Sequence, residues 1–153
     1  MKKLAIIATK GTLDWAYPPF ILASTAAALG YDVQIFFTFY GLQLLKKDLD
    51  PPMTSLGNPA MPMPFPMPVL AQALPGMQSI MTSMMKKKMA DKGVVDLQTL
   101  RELCQEAEVK FIACQMTVDL FDFTQDDFLD GIEYGGAATF FEFAGESDIC
   151  LFI

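Results

Sequence analysis

Residues 3–9 read KLAIIAT, residues 32–39 read DVQIFFTF, and the 22 residues between them read KGTLDWAYPPFILASTAAALGY. A short unbroken apolar run such as Lys3–Thr9 is the pattern of a strand buried on both faces, as at the centre of a parallel sheet. The turn Lys10-Gly11-Thr12-Leu13-Asp14 follows it. Asp14 is a candidate helix cap, but Pro18 and Pro19 place the helix start near Tyr17, because proline suits a first turn. The helix runs through Ile21, Leu22, Thr25, Ala26 and Leu29. Its small residues Ala23, Ser24, Ala26 and Ala27 let it lie close to a sheet, and Gly30 ends it. Strand, helix and strand within 40 residues make a βαβ unit, which requires a parallel sheet and a right-handed crossover.

The same alternation continues to the end of the chain. Gly41–Lys47 reads as a short helix. Asp96 caps a helix to Glu108, whose apolar face is Leu97, Leu100, Leu103, Cys104 and Ala107. Val109–Ala113 (VKFIA) is a third strand. Leu120, Phe121 and Phe123 lie in a short helical segment. Thr124 caps Gln125–Leu129, with Asp126 and Asp127 in its first turn. Gly135-Gly136 breaks the chain before a helix over Ala137–Ala144, and Asp148–Ile153 (DICLFI) is a terminal strand, with Cys150 expected in the core. The expected fold is an α/β fold, a compact doubly wound domain spanning residues 1–153. Its mostly parallel sheet has about five strands flanked by helices.

One stretch departs from this plan. Eight of the ten prolines lie between Pro51 and Pro75, and nine of the eleven methionines between Met53 and Met89. Residues 61–68 read MPMPFPMP. Alternating proline forms neither a ladder nor a helix interior, so extended, polyproline-like backbone is expected, as an apolar strap. A helix over Val69–Met89, broken at Pro75-Gly76, would carry Met77, Met81, Met84 and Met85 on one face and Lys86, Lys87 and Lys88 in its last turn. This Met/Pro-rich insert, at about residues 50–90, suits packing on a neighbour, with contact to a membrane surface as an alternative.

Composition excludes several function classes. The chain has 153 residues, 52% of them apolar, and a net charge of −7. It is too hydrophobic for disorder and lacks the basic footprint of a nucleic-acid binder. From Asp119 to Ile153 there are nine acidic residues and no basic one, the pattern of a solvated face. There is no histidine, which removes the Ser-His-Asp triad, the Cys-His pair and every His-ligated metal. The three cysteines show no CxxC spacing, so no metal site follows, and a reducing cytoplasm suits them. No GxGxxG or GxxxxGK[ST] occurs, so no nucleotide cofactor is implied. The start, MKKLAIIATKG, has too short an apolar run for a signal peptide, and no 18-residue apolar run calls for a membrane span.

Cysteine chemistry survives these exclusions. Ligands bind outside the carboxyl ends of the strands of an open α/β sheet. Cys114 stands where the third strand stops and a helix starts, and backbone N–H groups there stabilise a thiolate or a bound sulfur oxyanion. Thr117 offers a hydroxyl, Gln115 an amide, and Lys10 positive charge from the neighbouring strand end. Gly11 and Tyr40 stand at the first two strand ends. Cys104 is a candidate second cysteine if helix and strand end bring the sulfurs close. Asp119 and Asp122 would raise the pKa of a nearby thiol, so they are expected to point to solvent.

The segment Val109–Leu120, with its Cys114-Gln115-Met116-Thr117 turn, and the later Gly135-Gly136-Ala137-Ala138-Thr139-Phe140 resemble the DsrE/DsrF-like superfamily, in the subgroup often labelled "peroxiredoxin family protein". The opening βαβ stretch, Tyr40-Gly41-Leu42 and the Met/Pro-rich insert are similar to that subgroup too. No Thr-x-x-Cys peroxidatic motif surrounds Cys114. The resemblance implies a parallel five-stranded fold, a homo-oligomer, and sulfur held as a persulfide or thiosulfonate on Cys114. Its partners would be sulfur donors and acceptors, either proteins or small sulfur species. The expected function is a cytoplasmic sulfur carrier or sulfurtransferase. A docking subunit that uses the insert, and a Cys104–Cys114 redox switch, are the alternatives.

Overall fold

The computed structural model describes residues 1–54 and 68–153; the expected strap over 61–68 lies largely outside the described residues. Five strands form one parallel sheet in the order β4-β3-β2-β1-β5. They are β1 (Lys3–Ala8), β2 (Asp32–Phe37), β3 (Lys110–Cys114), β4 (Glu133–Gly135) and β5 (Ile149–Phe152). The central β1–β2 pair runs in register from Lys3 opposite Asp32 to Ala8 opposite Phe37. Helices α1 (Leu13–Ala28) and α4 (Leu97–Glu106) cover one face, and α6 (Ala137–Ala144) covers the other. A short helix α2 (Val69–Gln72) and the longer α3 (Met77–Asp91) precede α4, and α5 (Gln115–Leu120) follows β3.

Side chains alternate across the strands and divide the core in two. Leu4, Ile6, Val33, Ile35, Phe37, Phe111 and Ala113 face α1 and α4. There Phe20, Phe37 and Phe111 meet with ring centroids 5.4–6.0 Å apart. Ala5, Phe36, Ile112 and Cys114 face α6 through Phe140.

Several expectations need correction. α1 begins at Leu13 rather than near Tyr17, has Thr12 rather than Asp14 at its N-cap position with no side-chain cap bond, and contains Pro18 and Pro19. Its extra first turn is held from outside. Leu13 N–H donates to the Pro52 carbonyl, and the Asp14 carboxylate accepts from the N–H and hydroxyl of Thr54. The segment after β2 is a 3₁₀ helix over Phe39–Leu45. On α4, Leu103 and Ala107 are exposed, and Arg101 is buried in their place. Its guanidinium donates to the carbonyls of Leu44 and Lys46, which the 3₁₀ helix leaves free at its end. On α3, Met85 and Met89 pack on the core while Met84 points outward. Cys150 is exposed, because β5 is an edge strand and its α6-side face is only partly covered. Gly135, expected with Gly136 as a break before a helix, ends a strand over Glu133–Gly135 beside β3.

Candidate functional site

Cys114 is the last residue of β3 and the cap residue of α5, on the face of the sheet covered by α6. It is 5% exposed. One turn into α5, Thr117 is fully buried beside Thr38, which follows β2, with their hydroxyl oxygens 3.3 Å apart. Phe39 N–H donates to the Thr117 hydroxyl oxygen at 3.2 Å. Phe39 itself has a left-handed backbone, φ +48°, which is strained for a bulky residue. Because Thr117 accepts from Phe39, its own proton is free for Thr38 or for the sulfur.

Two opposed effects act on the Cys114 thiol. Burial pushes its pKa up. Hydrogen bonds from the Thr117 hydroxyl and N–H, the Thr38 hydroxyl and the Met116 N–H pull it down, and the pull prevails. The thiolate therefore forms more readily than on an ordinary cysteine. On the other side, Gly135 of β4 pairs with Cys114, and α6 starts just beyond it. A Cβ at Gly135 would lie 2.6 Å from the Thr139 hydroxyl oxygen, so a residue without one lets α6 close against this strand end.

The other expected site residues divide into two groups. Thr117 stands at the sulfur. Gln115 turns away and donates its amide to Asp119 at 2.9 Å. Lys10, Gly11 and Tyr40 instead line a cavity of about 550 Å³ at the ends of β1 and β2, together with Trp15 and Pro52. Lys10 lies 3.3 Å from the centre of the Trp15 ring, a close cation–π contact. Tyr40 stacks on Phe121 at the end of α5, with centroids 5.9 Å apart, and so borders both places. The two loops interlock there. A Cβ on Gly11 would lie 2.2 Å from the Tyr40 carbonyl oxygen, and one on Gly41 2.1 Å from that of Ala8.

Cys104 belongs to the opposite face, packed in the α1 and α4 core with its thiol donating to the Phe20 carbonyl. Burial pushes that thiol up to about 12. The sheet thus stands between the two sulfurs. Sequence reasoning missed Thr38 and, though it placed Phe39 at the second strand end, gave it no role at the sulfur; the available signal was the strand end running straight into Tyr40-Gly41.

A model of the DsrE/DsrF/DrsH-like family matches residues 1–152. The chain belongs to this family. It is 74% identical over 156 residues to the sulfur carrier protein DsrE2 of Allochromatium vinosum, covering 99% of this chain and 98% of that one. It is 33% identical to YrkE of Bacillus subtilis, an uncharacterised protein, covering 99% of this chain and 97% of that one. Among solved structures, the YchN protein of E. coli superposes with a TM-score of 0.60 at 12% identity, with both chains fully covered. MTH1491 of Methanobacterium thermoautotrophicum gives 0.51 at 12% identity, with 99% of each chain covered. At that identity the likeness concerns the fold. It places this DsrE/DsrF/DrsH-like chain among parallel α/β relatives, in keeping with the expected fold class.

Proposed function

We propose that the chain is a sulfur carrier that holds sulfane sulfur, or a thiosulfonate, on Cys114. The observation that carries this reading is the place of Cys114, at the junction of β3 and α5 beside the buried Thr117 and its neighbour Thr38, where hydrogen bonding holds its thiol below the ordinary value despite burial. The relative named a sulfur carrier supports it. In loading from a persulfide donor, the Cys114 thiolate attacks the outer sulfur. The donor's sulfur–sulfur bond breaks and the donor leaves as its thiolate. In unloading, an acceptor thiolate attacks that same sulfur and Cys114 leaves as its thiolate. A lowered pKa helps both steps, because it raises the thiolate fraction and improves the leaving group. Cys114 is buried, with 5% of the residue exposed, which suits a slender terminal sulfane sulfur better than a bulky electrophile.

Donor and acceptor are proteins or small sulfur species. The reading includes a homo-oligomer working in the cytoplasm, where three unbridged cysteines are at home. A Cys104–Cys114 switch has no comparable support, since the two thiols belong to opposite faces of the sheet.

The test is intact-protein mass spectrometry after the reduced protein meets thiosulfate, tetrathionate or polysulfide, followed by peptide mapping. The expected result is a thiol-reversible adduct on Cys114 that Cys114→Ser abolishes and Cys150→Ser leaves in place. Equal loading of both variants would overturn the assignment.

A further inference from the structure

The outer face of α2 and α3 contains none of the residues around Cys114, and no element of the described chain covers it. Leu70 is 84% exposed, Val69 67%, Leu74 57%, Ile80 55% and Met84 52%. Neither helix has a fully buried residue. α3 is nevertheless fixed to the body. Its inner residues Met85 and Met89 pack on the main core, Thr82 accepts from Met53 N–H, and Gln78 donates to the Met53 carbonyl. The exposed face is therefore presented on an anchored helix.

That face is ordered along its length. Ile80 and Met84 stand at i and i+4, and Lys87 and Lys88 continue the same stripe at i+7 and i+8. Leu70 on α2 and Leu74 in the turn after it add further exposed apolar side chains just before α3. The basic half comprises Lys87, Lys88 and, just beyond the helix, Lys92; none has an ion pair among the described residues, whereas Lys86 pairs with Asp50.

Charge decides between possible occupants. Residues 51–93 hold four lysines and one aspartate, in a chain whose net charge is −7. That stretch is net positive by three, whereas residues 94–153 hold two basic and thirteen acidic residues. An apolar stripe ending in lysines matches the boundary of an anionic bilayer, where apolar side chains enter the acyl region and ammonium groups stay among the headgroups. A neutral apolar protein groove would not use the lysines. No helix among the described residues is long and apolar enough to cross a membrane, so the contact would be peripheral.

We propose that the outer face of α2 and α3 docks on an anionic lipid surface, through Leu70, Leu74, Ile80 and Met84 with Lys87, Lys88 and Lys92. The inference is independent of sulfur loading at Cys114.

The test is co-sedimentation of the full chain with vesicles of phosphatidylcholine alone and with 30% phosphatidylglycerol added, a composition of roughly the charge that gives a strong surface potential. Binding is expected to the anionic vesicles only and to weaken as salt is raised. The variant Lys87→Glu, Lys88→Glu, Lys92→Glu should lose at least about tenfold in affinity, given how steeply surface binding depends on lysine number. The variant Ile80→Ser, Met84→Ser should lose binding as well, and its substitutions lie outside the core. Sulfur loading, read in parallel, should stay intact in both variants and shows that each is folded. No binding to the anionic vesicles, equal binding to neutral ones, or binding indifferent to both variants would overturn the proposal. So would a variant that changes only the oligomeric state of the free protein, which would assign the face to a second copy.

Discussion

The hydroxyl of Thr117 lowers the Cys114 thiol, meets Thr38 after β2 and accepts from the N–H of the strained Phe39. Thr117→Val keeps the shape and removes the hydroxyl. Burial, which raises the Cys114 thiol, then meets fewer opposing hydrogen bonds, so the thiol pKa should rise. The pH midpoint for alkylation by iodoacetamide should therefore move upward, with slower labelling at neutral pH, while the plateau rate at high pH is retained. The variant also leaves Phe39 N–H without its acceptor, at a cost of about 1–3 kcal/mol in stability. Thr117→Ser should restore the midpoint. An unchanged midpoint in the valine variant would mean that the Thr38 hydroxyl and the backbone N–H groups hold the thiolate without it. At this scale the sequence discloses Cys114 and Thr117, because a cysteine at a strand-to-helix junction has a stated chemistry. It does not disclose Thr38 or Phe39. Their roles come from a left-handed turn and from pairing between strands some 75 residues apart.

Among the elements, those with strong periodic or capping signals are legible, and those defined by a distant partner are not. β1, β2 and α4 follow from an apolar run, an alternation and a cap; Asp96 does accept from Thr99 N–H at 2.9 Å. β4 is three residues long and exists by pairing with β3, which no local pattern announces. The start of α1 fails for the same reason. Local chemistry favours the prolines as a first turn, but Thr54 and Pro52 supply partners for an earlier one. Arg101 is a further instance, buried against carbonyls that belong to another element. The Asp14 to Thr54 contact can be tested as an element-scale device. Asp14→Ala removes the acceptor for two Thr54 donors and a favourable charge in the first helical turn. The expected effect is a loss of about 1 kcal/mol, in the range of a lost helix cap. It should come with faster amide exchange confined to Leu13–Tyr17. Uniform acceleration through α1 would show instead that the whole helix depends on this contact.

Across the whole molecule, the sheet separates a chemically disposed thiol from an inert one. Cys114 faces α6 with a lowered pKa, while Cys104 faces α1 and α4 with its pKa raised to about 12 by burial. The raised value ties Cys104 to global stability. In the unfolded chain a thiol titrates at about 8.5. Between that value and about 12 the native state keeps the Cys104 proton and the unfolded state has lost it. The unfolded state then binds fewer protons, so stability falls as pH rises, at up to about 1.4 kcal/mol per pH unit for one proton. Stability from this group is complete below the unfolded pKa and is lost progressively toward the folded one. Urea unfolding at pH 8, 9 and 10 should show the decline beginning near pH 9, before the raised Tyr17 and Tyr134 hydroxyls contribute. Cys104→Ala should be less stable at pH 8 by the small cavity it leaves, yet decline less steeply, so that the two stabilities converge by pH 10. Cys114→Ala should not flatten the decline, since its thiol is shifted the other way. Parallel slopes for wild type and Cys104→Ala would mean that the core admits the charged thiolate, and that the two faces of the sheet differ less than their packing indicates.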